Sequence, residues 1–367
     1  MYWLERISIQ RNLVNSMRLG TFHKKKKYLL NKIKVNFLSL FKKQSNTTRP
    51  EVKTCLLIHD NSKLGDLIVL SSLYRELTAR GVKLSIVTTE AGKNFLIGNK
   101  KIAHFFVKKS NSFKDIMALR DDLREHHFDM VLDPFETMPS FGHSLLLASI
   151  NSPYTLGFDK WYKRYYSFYH SHDDKLEAHM CTRAHEILEH IYGDSERKFD
   201  ISYDLPLPEH VQEEVLRFID NSKIIIINPL GAKKICRLTN EQIQAIYNYI
   251  RESKPEYRVI FTGLSTDLAT ITIPDIETLP FNDFIHAVAL TKFSRYVVSV
   301  DTALVHIASA YNIPTLALYP NCRHPSYPSH VIWSPNNKNA VQVVSPTFTV
   351  KDITLPVITD SLQKILH

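Results

Sequence analysis

The stretch from Tyr296 to Tyr319 constrains this chain more than any other. A strand-forming run, Tyr296-Val297-Val298-Ser299-Val300, leads into Asp301-Thr302-Ala303-Leu304-Val305-His306. An apolar stretch, Ile307-Ala308-Ser309-Ala310, follows, then Pro314 and a second strand-like run from Thr315 to Tyr319. β-Branched and aromatic residues suit a pleated surface, so the order reads strand, tight turn, short helix, strand. That order places a carboxylate and a hydroxyl where a strand gives way to a helix. Open α/β sheets bind their ligands at such places, and the unpaired amides of a helix start attract anions.

The same alternation recurs along most of the chain. Cys55-Leu56-Leu57-Ile58-His59 reads as a first buried strand, and a helical pattern runs from Leu67 to Arg80, closed by Gly81 as a C-cap. Leu84 to Thr89, Phe105 to Val107 and Met130 to Leu132 read as further strands. A second start appears at Ile224-Ile225-Ile226-Ile227-Asn228-Pro229. After it come a helix opened by a capping box at Thr239 and Gln242, a strand at Tyr257 to Phe261 and a short helix at Asp283 to Leu290. Strands separated by helices imply parallel sheets with right-handed crossovers. The proline-rich join Asp204-Leu205-Pro206-Leu207-Pro208 suits a linker. The expected organisation is a basic extension over 1–50, an α/β domain over 51–208, a second over 209–345 and a closing segment over 346–367.

Charge separates the extension from the rest. Residues 1–50 hold twelve Lys and Arg against one acid, Glu5, a net +11, whereas the other 317 residues hold 34 bases and 36 acids, a net −2. Lys24 to Lys27 are consecutive, and Leu29, Leu30, Ile33, Phe37, Leu40 and Phe41 then share one face at helical spacing. A basic amphipathic helix suits an anionic membrane surface; the same stripe would also serve a helix packed on the body. A nucleic-acid partner is not expected, because the bases are confined to the extension and no binding module follows. The four cysteines are far apart and form neither a disulfide framework nor a zinc pattern, which suits reduced thiols and a cytoplasmic protein. No apolar run reaches the length of a membrane span.

Missing motifs narrow the chemistry. With ten glycines the chain has no GxGxxG and no GxxxxGK, so dinucleotide dehydrogenases and P-loop NTPases are not expected. No Asp-x-Asp is present to hold a metal on a diphosphate. His170-x-His172 with Asp173, Asp174 and His179 lacks the spacing of a known zinc site, and no metal is expected.

Three segments together carry a family resemblance. Ser62-Lys63-Leu64-Gly65-Asp66 follows the first strand, Asn228-Pro229-Leu230-Gly231-Ala232-Lys233-Lys234 follows the second start, and Asp301-Thr302-x-x-x-His306 closes a third. In this order, over about residues 52–345, they resemble glycosyltransferase family 9, the lipopolysaccharide heptosyltransferases. The resemblance implies a GT-B fold, with two Rossmann-like domains facing across a cleft. It also implies inverting transfer of a sugar, usually heptose from ADP-heptose, to the lipopolysaccharide inner core at the cytoplasmic face of the bacterial inner membrane. Two positions depart from the family pattern: Ala303 stands where many members have glycine, and Ile235-Cys236-Arg237-Leu238 replaces a Lys-x-Trp-Pro segment.

Roles follow for the residues at these positions. Asp66 matches the family's catalytic aspartate; a carboxylate there takes the acceptor hydroxyl proton as the new bond forms. Gly65 permits a tight turn beside it. Lys233, Lys234 and Arg237 are the basic group placed to hold a donor diphosphate, and Thr302 is placed to cap the next helix and turn its hydroxyl and amide to the same phosphates. Asp301 would accept from sugar hydroxyls, Ala303 would line the phosphate approach, and His306 would orient the turn by a hydrogen bond. Lys63, Gly65, Trp161, Lys163 and Arg164 form the expected acceptor side, where aromatic faces stack on sugars and cations meet acceptor phosphates; the segment around Trp161 equally suits a partly buried surface loop. No cofactor is expected beyond the nucleotide-sugar substrate. Other readings are transfer from a hexose or N-acetylhexosamine nucleotide, an epimerase or hydrolase on the same scaffold, and a non-enzymatic basic surface-binding protein.

Overall fold

A computed structural model describes residues 30, 33–40, 51–60, 63–134, 140–158, 163–170, 178–193, 199–324 and 327–366. A short helix α1 (33–39) precedes the first sheet. That sheet holds β1 (Thr54–Ile58), β2 (Lys83–Thr88), β3 (Ile102–Val107), β4 (Met130–Asp133), β5 (Tyr154–Phe158) and β6 (Phe168–His170), all parallel, in the order β3-β2-β1-β4-β5-β6. Its helices are α2 (Leu64–Val69), α3 (Ser71–Ala79), α4 (Glu90–Leu96), α5 (Phe113–Arg124), α6 (Phe141–Ser149) and α7 (Thr182–Tyr192).

The second sheet repeats the plan. Strands β7 (Ile224–Asn228), β8 (Arg258–Phe261), β9 (Glu277–Thr278), β10 (Tyr296–Val300) and β11 (Thr315–Tyr319) are followed by a two-residue ribbon of β12 (Arg323–His324) and β13 (Tyr327–Pro328), then β14 (Ala340–Val344). The order is β14-β11-β10-β7-β8-β9, again parallel. Its helices are α8 (Glu209–Ile219), α9 (Asn240–Ser253), α10 (Ser265–Leu268), α11 (Phe284–Phe293), α12 (Ala303–Ala310), α13 (Ser329–Ile332) and α14 (Leu355–Ile365). Both sheets have the doubly wound order of a Rossmann domain, in which the chain reverses direction across the sheet at the first and fourth strands. Each reversal opens a crevice at the carboxyl ends: β1 with β4 in one domain, β7 with β10 in the other.

Local sequence explains the elements. The four isoleucines of β7 are fully buried, as a central parallel strand covered on both faces requires. Thr239 and Gln242 form the expected reciprocal capping box at the start of α9. Gly81 adopts φ +80°, the conformation a terminating glycine supplies. The helix read over Leu67 to Arg80 is in fact two, α2 and α3, broken at Leu70. There Ser71 Oγ donates to the Ile68 carbonyl at 2.6 Å, a local side-chain bond that competes with the helix ladder.

Apolar residues form three main layers. One covers the outer face of each sheet. The third lies between the sheets and draws on both domains, including Leu67, Leu70 and Leu73 from one and Val288, Leu304 and Ile307 from the other. The linker is tied to both sides: Asp204 N donates to Ser71 Oγ at 2.9 Å, and Tyr311 Oη donates to the Leu205 carbonyl at 2.7 Å. Residues 350–366 pack as a short turn and α14 on the second domain, against α9, β11 and β14, so they continue that domain.

Helix α1 rests on the first domain by one face only. Val35 is fully buried, its carbonyl accepts from Tyr165 Oη at 2.7 Å, and Lys34 Nζ lies 5.3 Å from the centre of the Phe141 ring. Leu30, Ile33, Phe37 and Leu40, on the other face, are 48–65% exposed. Leu29, Phe41 and Lys24 to Lys27 lie outside the described residues.

Candidate active site

The second domain supplies the wall at β7 and β10. Asn228, the last residue of β7, donates through Nδ2 to the Thr262 carbonyl at 2.8 Å. Its Oδ1 accepts from Thr302 Oγ1 at 3.1 Å, and Thr302 Oγ1 in turn accepts from Leu304 N at 3.3 Å. Thr302 is therefore the cap of α12, as expected, but its hydroxyl faces inward. It ties the turn to Asn228 rather than presenting its proton to a ligand. Three strand ends, β7, β8 and β10, are fastened by this one network. Asp301 precedes it, half-buried; burial pushes its carboxyl up to about 6, against a smaller opposing pull from Lys233.

The loop after β7 is braced at its base and open at its tip. Gly231 N donates to the Cys236 carbonyl at 2.8 Å, and Leu238 N to the Pro229 carbonyl at 3.1 Å. Arg237 Nε donates to the Gly231 carbonyl at 2.9 Å, and its Nη2 meets Asp267 Oδ2 at 2.7 Å. The Arg237 guanidinium, expected to hold phosphate, here holds the loop against α10. Ala232, Lys233 and Lys234 are exposed at the tip. Cys236 is buried and its thiol is pushed up to about 12, chiefly by that burial. Beyond Thr262 opens a cavity of about 420 Å³ lined by Gly263, Leu264, Ser265, Leu268 and Phe281, among others.

The first domain supplies the facing wall. Lys63 is exposed just before α2, and Asp66 lies in its first turn, 7% exposed. Helix α2 packs directly on α12. A methyl group built on Gly65 would lie 3.7 Å from His306 Cδ2 and 3.8 Å from Ala303 Cα. The turn carrying Asp66 and the turn carrying Asp301 thus meet directly, each at the reversal point of its own sheet. Ala303, expected to line a phosphate approach, faces Gly65 instead. His306 is buried between the ring edges of Tyr203 and Trp333, at centroid distances of 6.1 and 5.9 Å. Burial pushes its pKa down to about 3, so it is neutral near pH 7, and Nδ1 has no hydrogen-bond partner among the described residues. The expected orienting hydrogen bond is replaced by ring packing.

On the expected acceptor side, Lys163 begins a single helical turn and Arg164 is exposed on it; Trp161 lies outside the described residues. Next to this turn is a charge network that the sequence reading missed. His143 Nδ1 is 3.0 Å from Asp60 Oδ2, and its Nε2 is 2.9 Å from Asp133 Oδ2. Lys108 Nζ reaches Asp60 Oδ2 at 2.5 Å, and Tyr166 Oη donates to Asp133 Oδ2 at 2.5 Å. The residues lie between 10 and 83 positions from one another in the pairs around His143, so only the strand order of the sheet brings them together. Burial alone would pull the His143 imidazole down, but the flanking Asp133 and Asp60 carry it up to about 9. Among the described residues, no group of three His, Cys, Asp or Glu is arranged to hold a metal ion, and no helix is long and apolar enough to cross a membrane.

Comparison with known proteins follows the same lines. Residues 116–354 match the family model described as glycosyltransferase family 9 (heptosyltransferase). A protein of Escherichia coli (strain K12) named "Putative lipopolysaccharide heptosyltransferase 4" is 59% identical over 353 residues, covering 95% of this chain and 98% of that one. Among solved structures, a family 9 glycosyltransferase of Veillonella parvula superposes with TM-score 0.72 at 17% identity, over 88% of this chain and 99% of that one. E. coli ADP-heptose lipopolysaccharide heptosyltransferase II superposes with TM-score 0.68 at 18% identity, over 85% and 98%. The E. coli heptosyltransferase WaaC with ADP gives 0.66 at 14%, over 85% and 99%.

Proposed function

The chain belongs to glycosyltransferase family 9 and has its GT-B architecture, and from that premise we propose that it transfers heptose from ADP-heptose to the inner core of lipopolysaccharide, with inversion at the sugar carbon and without a metal ion. The observation that supports this reading is the apposition of α2 and α12, which brings the turn carrying Asp66 against the turn carrying Asp301. Asp66 takes the proton of the acceptor hydroxyl as its oxygen attacks the anomeric carbon. The leaving diphosphate departs from the opposite face of the sugar, which inverts the configuration. Its growing charge meets Lys233, Lys234 and the positive end of the α12 dipole. The cavity beyond Thr262 adjoins the Asn228 network and would seat the nucleoside. Lys63 and Arg164 would meet acceptor phosphates.

Helix α1 adds a location. Its outward apolar stripe, flanked in sequence by Lys24 to Lys27, Lys32, Lys42 and Lys43, suits the anionic inner face of the bacterial inner membrane, where a lipid-linked acceptor would be presented.

The test is transfer to delipidated core oligosaccharide, read by mass spectrometry with ADP-heptose, nucleotide hexoses and nucleotide N-acetylhexosamines as donors, with and without a chelator. A gain of one heptose that survives chelation is expected. A gain of one hexose or one N-acetylhexosamine would replace the donor assignment. Asp66→Asn should lower the rate by about 10²–10⁴ while ADP binding survives; full activity in that variant would end the assigned role of Asp66.

A further inference from the structure

The charge network around His143 uses no group assigned to the reaction, yet it joins the two segments that flank the first-domain side of the cleft. Asp60 follows β1 and precedes the segment carrying Lys63, Gly65 and Asp66; Lys108 follows β3; Asp133 ends β4. His143 lies in the first turn of α6, where its backbone N–H donates to Ser140 Oγ at 3.1 Å. Tyr166 directly follows the turn that carries Arg164. The side chains of Asp60, Lys108, Asp133 and His143 are each at most 9% exposed.

The proton count on the ring follows from geometry. Each ring nitrogen of His143 faces a carboxylate oxygen, at 3.0 and 2.9 Å. A neutral imidazole has one N–H and would turn a lone pair toward one of the carboxylates. Two N–H donors remove that conflict and give each buried carboxylate a charged donor. The network also sits at the carboxyl ends of β1 and β4, the crevice at which such a sheet takes a ligand.

Resting on the glycosyltransferase reading, we infer that His143 is a positioning residue: by clamping Asp60 and Asp133 together it holds the segment that bears Asp66 in fixed relation to the segment that bears Arg164. The base and the acceptor-side cation are thereby held by one buried link, although neither is touched by His143. The class of ligand served is the acceptor, not the nucleotide, because all five network residues belong to the first domain.

Three measurements on the full-length protein test the clamp. Long-range ¹H–¹⁵N NMR of histidine-labelled protein should show the His143 ring doubly protonated at pH 7.5, losing a proton near pH 9; a neutral ring at pH 7.5 overturns the inference. Hydrogen exchange of His143→Gln should rise at least about tenfold in peptides covering both 60–70 and 163–170, with peptides of 224–320 unchanged. Loosening of only one segment, or of neither, overturns it. In transfer assays the same variant should raise KM for delipidated core oligosaccharide or lower kcat by about tenfold, with KM for ADP-heptose within about twofold of the parent. Equal loss for donor and acceptor would mark His143 as a general stabiliser and end the proposal. A parent protein that transfers no heptose would overturn the functional reading, while the NMR and exchange results would still decide the clamp.

Discussion

Arg237 separates two accounts of the donor wall that differ by a measurable free energy. The structure makes it a brace, with Nη2 at 2.7 Å from Asp267 Oδ2 and Nε at 2.9 Å from the Gly231 carbonyl. A charge-assisted hydrogen bond contributes roughly 1.5–3 kcal/mol and a neutral acceptor roughly 1 kcal/mol. The Arg237 side chain is 30% exposed and that of Asp267 17%, so solvent screening places the ion pair near the lower end. Arg237→Ala is therefore expected to cost about 2 kcal/mol of stability and Asp267→Ala about 1–1.5 kcal/mol. The double variant should cost little more than Arg237→Ala, leaving an interaction of about 1 kcal/mol in the cycle. Urea unfolding followed by a second-domain probe measures these values, and calorimetry with ADP measures the consequence for binding. As a brace, Arg237 loses its effect through the loop, so both single variants should weaken ADP binding by a similar factor, about fivefold or less. A direct phosphate ligand would behave differently: Arg237→Ala would lose more than about tenfold, 1.4 kcal/mol, whereas Asp267→Ala would leave the freed guanidinium to bind at least as well. That second pattern would refute the brace.

Gly231→Ala should destabilise the same loop by about 1–3 kcal/mol, since its methyl would lie 2.8 Å from Cys236 Cβ and from its carbonyl oxygen; Gly65→Ala, whose methyl meets nothing closer than 3.7 Å, should cost much less by the same denaturation assay. Because burial holds the Asp301 carboxyl near 6, above its ordinary value, the folded state binds the extra proton, and stability should fall as pH rises from about 4 through 6. ADP affinity should fall over the same window as the carboxylate becomes charged, and Asp301→Asn should flatten both dependences; a parental slope retained in that variant would show that another group is responsible. Phe37→Asp combined with Leu40→Asp should cut partitioning onto vesicles of phosphatidylethanolamine and phosphatidylglycerol by at least about tenfold, since each buried apolar side chain contributes roughly 1.5–3 kcal/mol; unchanged sedimentation would remove the membrane role of α1.

The legible part of the site was the part encoded locally. Asp66, Asp301 and Thr302 stand at strand-to-helix turns that hydrophobic periodicity locates, and the cap at Thr302 is a matter of three adjacent residues. Their partners were not legible. That the Thr302 hydroxyl turns to Asn228, 74 positions away, depends on β7 and β10 being neighbours. That Arg237 is spent on Asp267 depends on α10 lying beside the loop. At His306, where the sequence suggests an orienting hydrogen bond, the apolar layer between the domains packs the ring and keeps it neutral. In α1, periodicity found the outward stripe, while only packing could identify Val35 as the residue that seats the helix.

The amino-acid order by itself determined the alternation of strands and helices, the two starts at β1 and β7, the basic extension and the turn residues of the cleft, because each rests on contacts a few residues apart. Tertiary structure decided which of those turns face each other and what each polar group does there. The reason is that a parallel sheet orders its strands by crossover, not by chain position. Asp60, Lys108, Asp133, His143 and Tyr166 become neighbours only once the sheet sets β3, β2, β1 and β4 in that order. The turn carrying Asp66 meets the turn carrying Asp301 only once two separately wound domains share one apolar layer.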